Sequence, residues 1–397
     1  KKRYKGQSTM GSSVSHSEIE HVKSQDGGIE GPIWCSKRGV LMWMNGERKQ
    51  VYEYDPEKKK ESRSYPLYLD EVAGSISLTG KPKKIIITLE KSGVVSHTLG
   101  GHKFTKECNI RKPCPTLNEN KNRFNIGTCD HKGRLLFGGR QRFIDDPWKD
   151  QYLERRFPSD SKRENRTSSS GFFKLEGKKL SPLCGSVFAT AQRLVFSPDS
   201  SVLYLLDGPG RAIWACGYNL RTGEIHGFPQ LFYRMPAEEP GCPVDAVCDS
   251  QGHLYVAYDG GGCVKRHHSG SGKVDLRIQL PCPGLTGLVW GGPDLSKLYI
   301  SGTSLTASKG SSLAILEKYQ LCQDEAPAFQ LDTVKGQLYS VTVTDCGQAV
   351  CGVRIPVFKT KHHGGQQVHG GQQQMCAAGM GSCWAVPTTC WGWQEEH

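Results

Sequence analysis

Leu194-Val195-Phe196-Ser197-Pro198-Asp199 is followed after three residues by Leu203-Tyr204-Leu205-Leu206-Asp207, and after four more by Ala212-Ile213-Trp214-Ala215-Cys216-Gly217-Tyr218. Each apolar run is strand-sized and rich in branched or aromatic side chains. Each break carries turn chemistry, Ser-Pro-Asp in the first and Gly208-Pro209-Gly210 in the second. The stretch therefore reads strand, turn, strand, turn, strand.

Outward from it the same unit recurs. Toward the C-terminus come Ala246-Val247-Cys248-Asp249, Gly252-His253-Leu254-Tyr255-Val256-Ala257 and Gly262-Cys263-Val264-Lys265-Arg266. Next are Leu285-Thr286-Gly287-Leu288-Val289-Trp290 and Lys297-Leu298-Tyr299-Ile300-Ser301, with Gly336-Gln337-Leu338-Tyr339-Ser340-Val341 as a candidate outer strand. Toward the N-terminus, one copy combines Asn125–Asp130, Gly133–Gly138 and Gly171–Leu175, and another Gly74–Leu78, Lys84–Thr88 and Gly93–Val95. The first begins at Gly31-Pro32-Ile33-Trp34 and continues through Val40–Trp43 and Gln50–Asp55. Six copies at intervals of roughly 40 to 65 residues are the signature of a propeller of four-stranded blades. No copy could bury its apolar faces alone, so each needs neighbours. A β-sandwich, the competing all-β arrangement, needs neither six copies nor a repeated turn. The expected fold is an all-β, six-bladed β-propeller over residues 29–358.

Composition agrees with many turns between short strands: of 397 residues 47 are Gly, and 37% are hydrophobic. The longest apolar runs, such as Ile85-Ile86-Ile87-Thr88-Leu89, fall far short of the roughly 20 residues needed to cross a bilayer, so no membrane span is expected. The basic excess, 51 Lys and Arg against 39 Asp and Glu, is scattered in runs such as Lys58-Lys59-Lys60 and Lys81-Pro82-Lys83-Lys84. These sit at turn-like positions and read as a solvated surface, with no nucleic-acid partner expected. The sixteen cysteines form no C-x-x-C pair, and no apolar stretch of signal-peptide type follows the basic Lys1–Lys5. Reduced thiols in a cytoplasmic protein are expected, which makes the sequon Asn165-Arg166-Thr167 incidental. Residues 1–28 and 359–397 read as polar or low-complexity tails, and Asp145–Ser170 as a long polar loop with Trp148, Tyr152 and Phe157. Neither a G-x-S-x-G elbow nor a phosphate-binding glycine loop is present.

Several segments carry a more specific signal. They are Glu30-Gly31-Pro32-x-Trp34, Asn122-Arg123-Phe124-Asn125-x-Gly127, Phe196-Ser197-Pro198-Asp199 with Leu203-Tyr204, Ile213-Trp214-Ala215, and Gly291-Gly292-Pro293-Asp294-Leu295 with Leu298-Tyr299. In this order they resemble the gluconolactonase, regucalcin and luciferin-regenerating enzyme family of six-bladed propellers. The resemblance implies hydrolysis of small sugar-type lactones with a divalent metal, Ca²⁺ foremost and Zn²⁺, Mn²⁺ or Mg²⁺ as alternatives. A metal would polarise the lactone carbonyl and stabilise the oxyanion. By the same resemblance Glu30 is the first-blade carboxylate ligand, and Arg123 with Asn125 holds the sugar hydroxyls. The family amide ligand falls in a Ser-Asn-Gly-Leu pattern, which here is Ala191-Gln192-Arg193-Leu194, so Gln192 is the candidate. The family aspartate, ligand and general base, falls in Pro-Asp-Gly-Met, which here is Pro243-Val244-Asp245-Ala246. Its position is Val244, and Asp245, one residue on, is the candidate ligand and catalytic carboxylate if the strand bulges. Ile126 stands where the family has an Asp beside the hydroxyl-binding Asn. Two functions follow: a metal-dependent lactone hydrolase or regucalcin-like calcium-binding protein with a degenerate site, or a propeller without catalysis that serves as a binding protein.

Overall fold

In the quoted stretch, Arg193–Phe196, Val202–Asp207, Ala212–Asn219 and Glu224–Arg234 form one antiparallel sheet in chain order. Leu194 faces Leu205 across the first pair and Tyr204 faces Ala215 across the second. The computed structural model describes residues 14–46, 48–59, 63–89, 93–109, 122–124, 127–141, 171–185, 192–208, 210–308 and 330–359. All of these belong to one compact unit, residues 1–360; residues 361–397 form a second unit outside the described residues. The polar stretch Asp145–Ser170 also lies outside them.

Six sheets arranged as a six-bladed β-propeller make up that unit, and among the described residues there is no helix. The first runs Glu30–Cys35, Val40–Asn45, Gln50–Tyr54, Arg63–Pro66, and the second Ala73–Leu78, Lys84–Leu89, Gly93–Thr98, Phe104–Asn109. In the third, Asn122–Phe124 and Thr128–Cys129 both pair with Leu135–Gln141, which continues to Gly171–Glu176 and Lys179–Gly185. The fifth is Cys242–Cys248, Leu254–Asp259, Cys263–His267, Val274–Gln279. The sixth has Gly284–Gly291, Lys297–Ser308 and Gln330–Asp345 from the C-terminal side of the unit.

The outer strand of that sixth sheet comes from the other end of the chain. Val14–His16 and Glu20–Asp26 both pair with Gln330–Asp345. Within residues 1–28, expected as a tail, 14–16 and 20–26 are therefore strand. Val14 and Ile19 are buried, but their neighbours are polar and face outward, as suits an outermost strand. The periodicity is therefore too weak to read from the sequence alone.

Packing explains why the inner strands are almost continuously apolar. Along Val202–Asp207, Leu203 and Leu205 pack toward the third sheet with Leu136 and Phe172. Tyr204 and Leu206 pack toward the fifth with Ala246, Val256 and Tyr258. Successive strand residues point to opposite faces, and here both faces are covered. Six such clusters fill the six gaps between neighbouring sheets. Charged groups bridge some gaps as well. Arg134 Nε lies 2.6 Å from Asp130 Oδ2, which also accepts the Tyr218 hydroxyl of the fourth sheet at 2.8 Å. Arg266 of the fifth sheet reaches Asp345 of the sixth at 2.8 Å.

The innermost strands surround an axial channel with a narrow cavity of about 100 Å³, lined at one end by Val353, Arg354, Ile355 and Pro356. The segment carrying these residues crosses that end. Cys351 O accepts from Ser250 N–H at 2.8 Å, Gly352 donates to Leu295 O at 2.9 Å, and Phe358 donates to Leu78 O at 2.9 Å. No helix of the described residues is long and apolar enough to cross a membrane.

Deleting residues 1–26 should strip the sixth sheet of its outer strand and expose Tyr339 and Val343. A loss of several kcal/mol is expected, read as a fall in Tm of roughly 5 °C or more. An unchanged melting curve would show that closure of the ring does not depend on this segment.

Candidate functional site

At the end of the channel opposite the crossing segment, the inner strands begin, and four of them are irregular. Register shifts occur between Glu30 and Ile33, Ala73 and Ser75, Pro243 and Asp245, and Leu285 and Gly287. A bulge inserts a residue and re-aims a side chain. Here the inserted residues, Gly31, Gly74, Val244 and Thr286, all line one cavity of about 230 Å³. Glu30, Ser75, Gln192 and Asp259 share its wall. The sheets thus bring together Glu30 and Gln192, which lie far apart in sequence.

Glu30 opens the first sheet and is exposed. Its Oε2 accepts the Gly46 N–H at 3.4 Å. Gln192 directly precedes the inner strand of the fourth sheet, held by its N–H to Leu206 O at 3.1 Å. Thr286 donates its hydroxyl to Ile29 O at 2.5 Å, tying the sixth sheet to the loop that leads into Glu30.

Asp245 is placed differently. The fifth inner strand does bulge, but at Val244, so Val244 faces the cavity and Asp245 pairs in register with Ala257. Asp245 is 1% exposed. Its Oδ1 accepts the Ala246 N–H at 2.8 Å and its Oδ2 the Leu288 N–H at 2.9 Å. Arg193 Nε stands 2.8 Å from Oδ1, with its N–H not aimed along the contact, so the pairing is chiefly coulombic. Arg193 also donates from Nη1 to Gly127 O in the third sheet at 3.0 Å. Burial pushes the Asp245 carboxyl up, opposed by the Arg193 charge and the two backbone N–H groups. Close approach completes this knot. A Cβ on Gly287 would stand 2.3 Å from Pro32 Cδ and 3.1 Å from Asp245 Oδ2, so only glycine fits there.

Arg123 lies on a short strand opposite Arg140, and its side chain, like all of Asn125, falls outside the described residues. Sequence reading passed over Asp259, a second carboxylate in the cavity wall. Repeat alignment holds its signal. Asn45, Asp207 and Asp259 each end the second strand of a sheet just before a glycine.

The donors fit a hard divalent cation only in part. Glu30, Gln192 and Asp259 supply oxygens, as calcium prefers. Val244 supplies an isopropyl group, and among the described residues no three His, Cys, Asp or Glu side chains converge as a metal centre.

Because Asp245 is buried, Arg193→Met should destabilise the fold by about 3–5 kcal/mol, the usual cost of orphaning one partner of a buried pair. Arg193→Met/Asp245→Asn should recover most of that loss. Without Arg193 the Asp245 carboxyl rises further, so the single variant should be more stable at acidic pH and lose stability as pH rises. Chemical denaturation of both variants at pH 5 and pH 8 reads this. An equal penalty at both pH values would show that the carboxylate charge is not what Arg193 neutralises.

Comparison with known proteins adds the lineage. Residues 29–304 match the SMP-30/Gluconolactonase/LRE-like region. The pentonolactonase XacC of Haloferax volcanii is 24% identical over 272 residues, 68% of this chain and 80% of its own. Regucalcin of Xenopus laevis is 26% identical over 293 residues, 72% of this chain and 87% of its own. Among solved structures, a luciferin-regenerating enzyme superposes with a TM-score of 0.64 at 21% identity, covering 87% of this chain and 100% of that one. With its six sheets and a matched region spanning most of the propeller, the chain belongs to the SMP-30/gluconolactonase/LRE-like family.

Proposed function

We propose that the protein hydrolyses small sugar-type lactones at the bulged mouth of the propeller, with a weakened site for a divalent cation. The observation that carries this reading is the meeting of Glu30, Gln192 and Val244 on one cavity wall, since these are the three ligand positions of the family motif. Named relatives such as the pentonolactonase support the substrate class. In this reading Glu30 and Gln192 hold the cation, calcium first and zinc, manganese or magnesium as alternatives, and Arg123 with Asn125 holds the substrate hydroxyls. When bound, the ion would polarise the lactone carbonyl. Asp259, facing the cavity, is the carboxylate positioned to take a proton from the attacking water. Asp245 positions Arg193 instead, its oxygens being occupied by Arg193 and two backbone N–H groups.

A second reading, a binding protein without turnover, draws its support from Val244. Calcium affinity follows the number of carboxylate ligands, and here one is replaced by hydrocarbon. In either case we place the protein in a reducing, cytoplasmic setting. The cysteines whose side chains are described are free thiols and mostly buried, with Cys108 and Cys263 pushed up to about 11 by burial.

Hydrolysis of pentono- and gluconolactones with calcium, zinc, manganese, magnesium or chelator tests the proposal. Val244→Asp should tighten calcium binding by about tenfold or more, seen also as a larger calcium-induced rise in Tm, and should raise turnover. Glu30→Gln should abolish both. Calcium binding with no turnover in either chain would favour the second reading. No effect of Val244→Asp on binding or turnover would overturn the site.

A further inference from the structure

The second sheet carries another concavity, at the end away from the mouth. Its inner strand Ala73–Leu78 starts with Gly74 and Ser75 in the mouth cavity and ends beside the turn Thr79–Lys84, a strand length of about 20 Å away. That turn, with the neighbouring turn after Thr98, surrounds an open depression of about 580 Å³. Lys81, Lys83, Lys84 and Lys103 line it, with Ser96, Thr98 and Thr105. Among the described residues no lining residue is acidic and none of the four lysines is ion-paired.

The turn is built rather than loose. Thr79 Oγ1 donates to Lys84 O at 2.6 Å and accepts the Lys81 N–H at 3.1 Å. Lys37 of the first sheet donates its ammonium to Gly80 O at 2.7 Å, fixing the turn from the side. Pro82 restricts it further. Across the sheet Thr98 pairs with Lys84, and Ser96 with Thr105, so these hydroxyls and one ammonium share a face.

Ser96 supplies the independent observation. It is 1% exposed, yet among the described residues its hydroxyl has no hydrogen-bond partner. A buried hydroxyl left unpaired costs stability, and this residue belongs to the wall of a depression where every other polar side chain offers a donor. A group rich in acceptor oxygens and negative charge would complete it.

We propose that this depression on the second sheet binds a polyvalent phosphate-type oxyanion, with the Ser96 hydroxyl and the ammonium groups of Lys83 and Lys103 as its donors. Lysine is a point charge suited to phosphate oxygens. Among the described residues no aromatic side chain lines the depression to stack a base, so the fit is to a phosphate group rather than a nucleic-acid strand. The site is separate from the mouth and does not depend on the activity proposed there.

Calorimetric titration of the full chain with inorganic pyrophosphate at constant ionic strength is the test. Saturable binding is expected, weakened by about tenfold or more in Lys83→Glu/Lys103→Glu. Lys132→Glu/Lys297→Glu, the same charge change at exposed sites elsewhere, should bind within about twofold of the native chain. Ser96→Ala should move two readouts in opposite directions, raising Tm without ligand while weakening pyrophosphate binding. Absence of saturable binding would overturn the proposal. So would equal losses in the two lysine pairs, or a Ser96→Ala chain that binds as tightly as the native one.

Discussion

Burial of strands on both faces is the constraint from which the rest of this structure follows. A sheet such as Arg193–Arg234 has no solvent side for its inner strands: Leu203 and Leu205 need the third sheet, and Tyr204 and Leu206 need the fifth. Apolar area removed from water is worth about 25 cal/mol per Å². Neither face can be left open without losing a large part of the folding energy. The sheets must therefore go around until the last one covers the first. The cluster joining Val289, Tyr299 and Leu338 of the sixth sheet to Trp34, Leu41 and Trp43 of the first is where that happens. The sixth sheet is assembled from both ends of the unit, so closure is held by strand pairing as well as packing.

Closing a ring also creates an axis, and the two ends of this axis are treated differently. One is crossed by the segment from Val350 to Lys359, whose backbone bonds to the second, third, fifth and sixth sheets. At the other, four inner strands bulge and turn their inserted residues to a shared cavity. Between them lies the Arg193–Asp245 pair, reaching across the third, fourth, fifth and sixth sheets. A guanidinium and a carboxylate in the channel neutralise each other where water is scarce. The charge at the core of the ring is thus met internally, and Glu30 and Asp259 stand on the cavity wall at the mouth.

Most strands were legible because both-sided burial leaves continuous apolar runs, as in Val40–Asn45 or Leu254–Tyr258. The outer strands were not. Val14 is buried in Val14–His16 and Val22 is half-buried in Glu20–Asp26, each among polar neighbours, which leaves no periodicity to read. In the candidate site, Glu30 and Gln192 could be placed from their motifs, since each sits at the start of an inner strand. Asp259 was missed because its motif is only a carboxylate before glycine, common in turns. Arg193 has no acidic neighbour in its own stretch of sequence. Its partner became visible only with the fifth sheet alongside the fourth.

From its own pattern the chain determined how many sheets form, their order, and that Glu30 and Gln192 head their strands, because these depend on local periodicity and turn chemistry. Tertiary structure decided which way the fifth inner strand faces. A single inserted residue exchanges the two sides of a strand, and here it turns Val244 to the cavity and Asp245 to Arg193. It also decided where the N-terminal strands go. Ser15 and Thr344, 329 residues apart, share a hydroxyl contact at 2.7 Å only because a closed ring returns the chain to its beginning. Such a pairing is set by the geometry of closure, and no local stretch of residues encodes it.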